Sequence, residues 1–169
     1  IRILSPYYGN TIFTVSSVIS IILAALSLGY YVGGKLADRH PSLQWFFGII
    51  LLSGILLLGL HAIGVVILPI LSYTLSITTG PLVTSILLFF LPALLLGTLS
   101  PYAIKLQHTL LPDEGVGNVA GKIFFWSTLG SIAGSLLAGF VFIPHFGVGQ
   151  IIIANGVLLF FLGLIPLWI

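Results

Sequence analysis

Five apolar stretches dominate this chain, and each is long enough to cross the roughly 30 Å hydrocarbon core of a bilayer as a helix of about 20 residues. Their apolar residues run on continuously rather than alternating with polar ones, which favours helices over strands. The sequence therefore predicts one all-α domain, residues 1–169, built as a polytopic transmembrane bundle of about five helices. The predicted spans are Thr11–Gly34, Gln44–Leu68, Leu82–Ile104, Val119–Ile143 and Gln150–Ile169.

Composition indicates that the main partner of this protein is the lipid bilayer. Hydrophobic residues make up 59% of the chain and charged residues 5%, whereas an ordinary soluble domain is about 25% charged. The five basic residues form no patch, which excludes a nucleic-acid partner. Cysteine is absent, which excludes disulfides, thiolate metal sites and cysteine catalysis. No signal peptide is recognisable, and because the sequence opens on Ile1 we expect it to be part of a longer product.

Capping residues, prolines and glycines predict where the helices begin, end and bend. Short polar side chains cap helix N-termini, and proline lacks the backbone N–H that a continuing helix needs. The signals are Asn10 or Thr11 as the cap of the first helix, Asn118 as the cap of the fourth, Pro69 and Pro144 as stops of the second and fourth, the Gly80-Pro81 pair as the start of the third, and Pro92 and Pro101 as kinks within the third.

Charged residues collect in two predicted connectors. With five crossings these connectors share one side of the membrane, and that side holds four of the five basic residues. The positive-inside tendency places it in the cytoplasm, with the start of the chain outside and its end inside. We expect the inner (plasma) membrane of a prokaryote, with Trp45, Tyr102 and Trp168 as aromatic belt residues. The connectors contain Lys35, Asp38, Arg39 and His40, and Lys105, His108, Asp113 and Glu114, with Lys122 just inside the fourth helix.

The first of these connectors carries the most specific motif of the chain, the run from Gly33 to Pro41 (GGKLADRHP). It resembles the Gly-x-Leu-Ala-Asp-Arg signature of major facilitator transporters, although Pro41 replaces the usual glycine and the trailing basic residues are missing. The resemblance implies close helix approach at the glycines, and an Asp38 that caps a neighbouring helix or pairs with Arg39. The matching residues are Gly34, Leu36, Ala37, Asp38 and Arg39, preceded by Gly33.

A second resemblance covers nearly the whole chain. In order, the segments Ile1–Asn10, Leu26–Asp38, Leu91–Tyr102 and Val119–Gly139 resemble the membrane region of fused major-facilitator/spermidine-synthase-like (polyamine aminopropyltransferase-like) membrane proteins. The fold implied is part of a six-helix half of the major facilitator bundle. In that family a helix normally precedes a segment like Ile1–Asn10, and a soluble aminopropyltransferase domain often follows the membrane region.

The chain lacks the sequence features that the enzyme domain of that family needs to bind its substrate. An adenosyl-binding site needs a glycine-rich loop after a strand and an acidic residue. The nearest loop here, Gly115-Val116-Gly117, follows no strand, and we interpret it as a flexible helix connector. The prediction is therefore no catalytic residue, no metal site, no cofactor and no enzyme activity for this chain, although a longer parent protein could carry an aminopropyltransferase-like domain.

Small residues recur every four positions on two predicted helices, which places them along single helix faces. Such faces let membrane helices approach closely. We expect internal bundle packing, the alternative being a groove for another subunit or a lipid. The residues are Ala25, Gly29 and Gly33 on the first helix, and Gly130, Gly134 and Ala138 beside Ser127, Ser131, Ser135 and Gly139 on the fourth.

Three interpretations of function remain open. The favoured one is a non-catalytic membrane domain or subunit, an anchor or scaffold that works with other membrane subunits or with a missing soluble domain. The second is a fragment of a major-facilitator-type transporter, which is weakened because no Asp, Glu, Lys or Arg lies near the middle of any span. The third is a cofactor-binding subunit in which His61, the one histidine within a span, is an axial ligand to a haem or chlorophyll-type metal. A buried histidine with one hydrogen bond is the simpler interpretation of His61.

Overall fold

The computed structural model describes the backbone of residues 1–167, and within that range the chain is helical without a strand. This confirms the all-α prediction. Residues 168 and 169, and with them the predicted belt residue Trp168, lie outside the described part. The helices are α1 (Ser5–Tyr8), α2 (Ile12–Arg39), α3 (Leu43–Thr74), α4 (Gly80–Leu110), α5 (Val116–His145) and α6 (Val148–Gly163), followed by a short 3-10 turn, Ile165–Leu167.

Four helices, α2 to α5, are long and apolar enough to cross a membrane, so the chain is an integral membrane protein. The fifth predicted span is shorter than expected: α6 has 16 residues, or about 24 Å at 1.5 Å per residue. It ends at Gly163, three residues before Pro166, because proline cannot donate to the preceding turn and disfavours helical geometry in the residue before it.

The predicted helix starts hold within three residues, but α2, α3 and α4 end five or six residues later than predicted. Asp38, Arg39 and Lys105 therefore lie in helices and not in connectors. Two of the predicted start and stop signals are also wrong. Thr11 caps α2, since its hydroxyl accepts from the Thr14 amide at 3.2 Å. Pro69 does not end α3, which continues to Thr74; membrane helices tolerate proline where other groups satisfy the freed backbone. Asn118 is not the cap of α5. The helix begins earlier, with Gly115 as its cap, so the expected flexible connector is partly helical.

The helices pack in the spatial order α2, α4, α3, α6, each against the next. The α2–α4 seam is built from small residues: Ala25, Gly29, Gly33 and Ala37 form a buried stripe on α2. The α3–α6 seam is equally close, because a Cβ on Gly54 would lie 2.6 Å from the Phe160 amide nitrogen. Close backbone approach is how helices pack in lipid, where no hydrophobic force drives them together.

Helix α5 stands apart from this arrangement. Over its 30 residues only Val119, in the first turn, is buried. The prediction of internal packing for the fourth predicted span is therefore wrong for this chain. No neighbour lies within 4 Å of a Cβ built on Gly130, Gly134 or Gly139. The rest of the predicted stripe is exposed, or half-buried in the case of Ala138: Ser127, Ser131, Ser135 and Ala138.

Two of the long helices contain a widened π turn shortly before a proline. Ile86–Phe90 precedes Pro92 in α4, and Leu137–Phe142 precedes Pro144 in α5. Such turns and prolines are the usual causes of helix bending, and π turns recur near functional sites. The turn in α4 places Leu88 and Phe89 on the wall of the cavity described below.

Candidate functional site

Two regions of this protein are candidates for a functional site. The first, here called the charged end, comprises the C-terminal turns of α2 and α4 with the connectors that follow them, 40–42 and 111–115. The second is a cavity on the side shared by α2, α3, α4 and α6. Each contains residues that the sequence singled out.

The motif run ends α2 at the charged end. A Cβ on Gly33 would lie 2.5 Å from the Thr98 carbonyl oxygen of α4, whereas Gly34 faces open space. Ala37 is buried in a cluster with Tyr102 of α4, and Leu36 packs on its edge. Gly33 and Ala37 thus join α2 to α4, while Gly34 makes no close approach.

Asp38 pairs with a different partner from the one expected. Its Oδ1 lies 3.0 Å from Lys105 Nζ of α4, and Arg39 is exposed beside it. The pair joins the ends of two neighbouring helices, so both charged connectors lie at the same end of the bundle. Because 69% of the Asp38 side chain is exposed, water screens the attraction and the pair stabilises the fold by less than about 1 kcal/mol.

Tyr102 organises the charged end in a way that the sequence did not indicate. We expected a belt residue at the membrane surface, but the side chain is completely buried. Its hydroxyl donates to the His40 carbonyl and accepts from the Ser42 amide at 3.3 Å. The α2–α3 connector is therefore held on α4 by one side chain, and a tyrosine in an apolar helix offers no sequence signal for that role.

The remaining acidic residues lie in the connector before α5. Both carboxylate oxygens of Glu114 lie 2.8 Å from Lys122 Nζ, and Asn118 Nδ2 donates to Glu114 at 3.3 Å. Asp113 is exposed. Two of the three carboxylates are thus ion-paired, and in residues 1–167 there is no group of three histidine or acidic side chains that could hold a metal ion.

The cavity has a volume of about 640 Å³, within the range of small-molecule sites. Its walls are almost entirely apolar, and the N-terminal segment closes part of it. The lining contains two basic side chains, Arg2 and His61, and one phenol, Tyr7, and none of the lining residues is acidic. Its walls include Ile3, Pro6 and Tyr7 of the N-terminal segment, Ile22 and Leu26 of α2, Leu57, His61, Gly64 and Leu68 of α3, Leu88, Phe89 and Ala93 of α4, and Gly149 and Ile152 of α6.

His61 lies against the first turn of α6. A Cβ on Gly149 would approach the imidazole Cε1 to 3.0 Å and Nε2 to 3.2 Å, so a glycine there leaves room for the ring. The other histidines are elsewhere: His40 stacks on Trp45, His145 contacts the Val141 carbonyl, and His108 lies in α4. No second histidine lines the cavity beside His61.

Packed contacts hold the N-terminal segment in place. Leu4 and Tyr8 are buried against Val18 of α2. The Tyr8 hydroxyl hydrogen-bonds Thr84 Oγ1 of α4 at 3.1 Å, and the Tyr8 ring lies against Gly80. Arg2 is therefore attached to an anchored element. The sequence offered no signal for this role of α1, since Ile1–Asn10 precedes the first apolar stretch.

Comparisons with family models, with curated proteins and with solved structures found no match for this chain. Its function must therefore be inferred from the residues and their arrangement.

Proposed function

We propose that this chain is a non-catalytic membrane domain or subunit, an anchor and scaffold whose α5 packs against transmembrane helices from another subunit or from a further part of the same protein. The observation that carries the proposal is the isolation of α5. Val119 in its first turn is its one buried residue, although the helix is long and apolar enough to cross a membrane.

The α2–α4 seam supports this interpretation of α5. On α2, glycines four residues apart meet the α4 backbone directly. On α5, Gly130 and Gly134 repeat the same spacing. The neighbouring Ser131 and Ser135 hydroxyls donate to carbonyls of their own helix. On this face the side chains are small and the serine hydroxyls already have hydrogen-bond partners, so another helix can approach it closely.

Photo-crosslinking from single cysteines tests the scaffold role, because the natural chain has no cysteine to remove. Ser131→Cys and Ser135→Cys would carry a benzophenone label in native membranes, with Leu23→Cys on the exposed side of α2 as the matched control. We expect discrete protein adducts from the two α5 positions and lipid adducts from position 23. Lipid adducts from all three positions would show that α5 faces the bilayer and would refute the proposal.

We further propose that the charged end faces the cytoplasm, with the start of the chain outside. The excess of basic residues at that end supports this orientation. Asp38→Cys and Asp113→Cys should both react with an impermeant maleimide only when added from the cytoplasmic side. Labelling from the other side, or from opposite sides, would contradict this orientation.

The absence of enzyme activity also belongs to the proposal. Polyamine binding calls for several carboxylates that face a cation. Here Asp38 and Glu114 are occupied by lysines of the same chain. We expect no turnover when purified chain is incubated with decarboxylated S-adenosylmethionine and putrescine. Turnover that disappears in an Asp113→Asn, Glu114→Gln double variant would locate an active site in the α4–α5 connector and overturn the proposal.

The cavity gives less support to the two alternatives. An ion-coupled transporter fragment would be supported by carboxylates in its cavity, whereas the lining is mostly apolar and its Arg2, Tyr7 and His61 are not carboxylates. A metal cofactor held by His61 would be supported by a second ligand nearby. No other histidine and no acidic residue is part of the lining.

A further inference from the structure

The cavity lining is mostly apolar with a few polar groups, and this composition indicates the kind of ligand that would fit it. Four helices and the N-terminal segment contribute apolar side chains, and the basic side chains among them, beside the Tyr7 phenol, are Arg2 and His61. A ligand that fits must have a long apolar part for the walls and a polar part for these two side chains. This is the chemistry of an amphiphile.

The distribution of charge indicates the sign of the polar part. The acidic residues of the chain are Asp38, Asp113 and Glu114, all at the charged end. Helix α2 separates that end from the N-terminal segment by its 28 residues, or about 42 Å. Within residues 1–167, therefore, no acidic side chain lies near Arg2, and an arginine at the edge of an apolar cavity is a ready partner for a phosphate.

We propose that the cavity binds an anionic phospholipid, with one acyl chain against the walls formed by α2, α3, α4 and α6 and the phosphate against Arg2 and His61. The N-terminal segment positions the arginine, since Leu4 and Tyr8 are buried and the Tyr8 hydroxyl bonds Thr84. The cavity volume of about 640 Å³ is suited to one acyl chain rather than to the whole lipid. This binding is independent of the scaffold role of α5, which contributes no residue to the cavity walls.

Native mass spectrometry of the purified chain would test the proposal with defined lipids. Phosphatidylglycerol and phosphatidylcholine of the same acyl composition would be added at equal concentration. We expect one phosphatidylglycerol to be retained in preference to phosphatidylcholine. Equal retention of the two lipids, or complete displacement by inorganic phosphate alone, would overturn the assignment.

Two substitutions test the polar and the apolar part of the site separately. Arg2→Gln should lower phosphatidylglycerol retention about fivefold, with Arg39→Gln, an exposed arginine at the charged end, as the matched control. Gly64→Leu should reduce retention of both lipids by filling the cavity. A Cβ at position 64 meets Leu88 Cδ2 at an ordinary 3.5 Å, so the backbone has room for the change.

Three results would refute the proposed lipid site. If Arg2→Gln and Arg39→Gln have the same effect, the preference arises from net charge and the site is refuted. If Gly64→Leu keeps its thermal stability and still retains lipid fully, the acyl chain lies elsewhere. If a protein segment fills the cavity in native membranes, a photo-label on Ile152→Cys will yield protein adducts instead of lipid adducts, and the proposal also fails.

Discussion

The α2–α4 seam and the free face of α5 share one sequence pattern and have opposite surroundings. Both place small residues four positions apart along a helix. A Cβ on Gly29 would collide with the Leu94 carbonyl oxygen, whereas one on Gly134 would have no neighbour within 4 Å. The comparison teaches that such a pattern identifies a face that a helix can approach, and does not identify the helix that approaches it.

The partner face explains the difference. Gly29 and Gly33 of α2 lie opposite Gly97 and Thr98 of α4, so both backbones are accessible where they meet. In lipid a helix satisfies its own backbone hydrogen bonds, and exposing an apolar face carries no penalty from water. Helix α5 can therefore remain outside the bundle at no cost, while α2 is fixed by a matching surface.

The largest expected effect is in the seam itself. Gly33→Ala forces a methyl group against the Thr98 backbone, where a Cβ would be 2.5 Å away from the oxygen. Overpacking of this kind costs about 1–3 kcal/mol. Gly134→Ala on α5 is the matched control and should leave the isolated chain unchanged or slightly more stable, since alanine favours helices. Reversible unfolding in detergent measures the stability of both variants. Equal losses of stability would mean that the two helix faces do not differ in packing.

The α3–α6 seam tests whether contact with a neighbouring backbone, rather than with a side chain, makes a glycine substitution destabilising. A Cβ on Gly54 would meet the Phe160 amide nitrogen at 2.6 Å, while one on Gly156 would meet the Leu58 side chain at 2.7 Å. A side chain can change rotamer and a packed backbone cannot. Gly54→Ala should therefore destabilise α3–α6 packing by about 1–3 kcal/mol, and Gly156→Ala by less. The reverse order in the same unfolding assay would contradict the argument.

Loss of one hydroxyl should loosen the charged end of the seam. Tyr102→Phe leaves the His40 carbonyl and the Ser42 amide without that partner, at a cost of about 1 kcal/mol. Hydrogen exchange at the Ser42 amide should accelerate. Tyr73→Phe is the control, because the Tyr73 side chain is 93% exposed. Unchanged exchange at Ser42 would mean that the connector is held by other contacts.

The smallest effect is expected for the ion pair across the seam. Asp38→Asn, Lys105→Gln and the double variant form a cycle that isolates the coupling between the two side chains. Exposure limits this coupling to about 0.2–1 kcal/mol, and added salt should reduce it further. A coupling well above 1 kcal/mol, independent of salt, would show that the pair is shielded from water by something outside this chain.

Several local features of the charged end and of the helices were predictable. The apolar runs predicted α2 to α5, and Thr11 was recognised as a cap because its hydroxyl acts within four residues of the chain. The close approach of Ala25, Gly29 and Gly33 was also expected. Two other predictions from local sequence were wrong: α3 continues past Pro69, and Asp38 pairs with Lys105 instead of Arg39.

The sequence by itself determined that this is an all-helical membrane protein with small-residue faces and with acidic groups only at helix ends and in short connectors, because span length, hydropathy and helix period are properties of the chain alone. Tertiary structure decided which faces meet. The isolation of α5, the burial of Tyr102 and the cavity lined by Arg2 and His61 each depend on helices distant in sequence. Contacts of that kind are set by the fit between two surfaces, which neither surface encodes on its own.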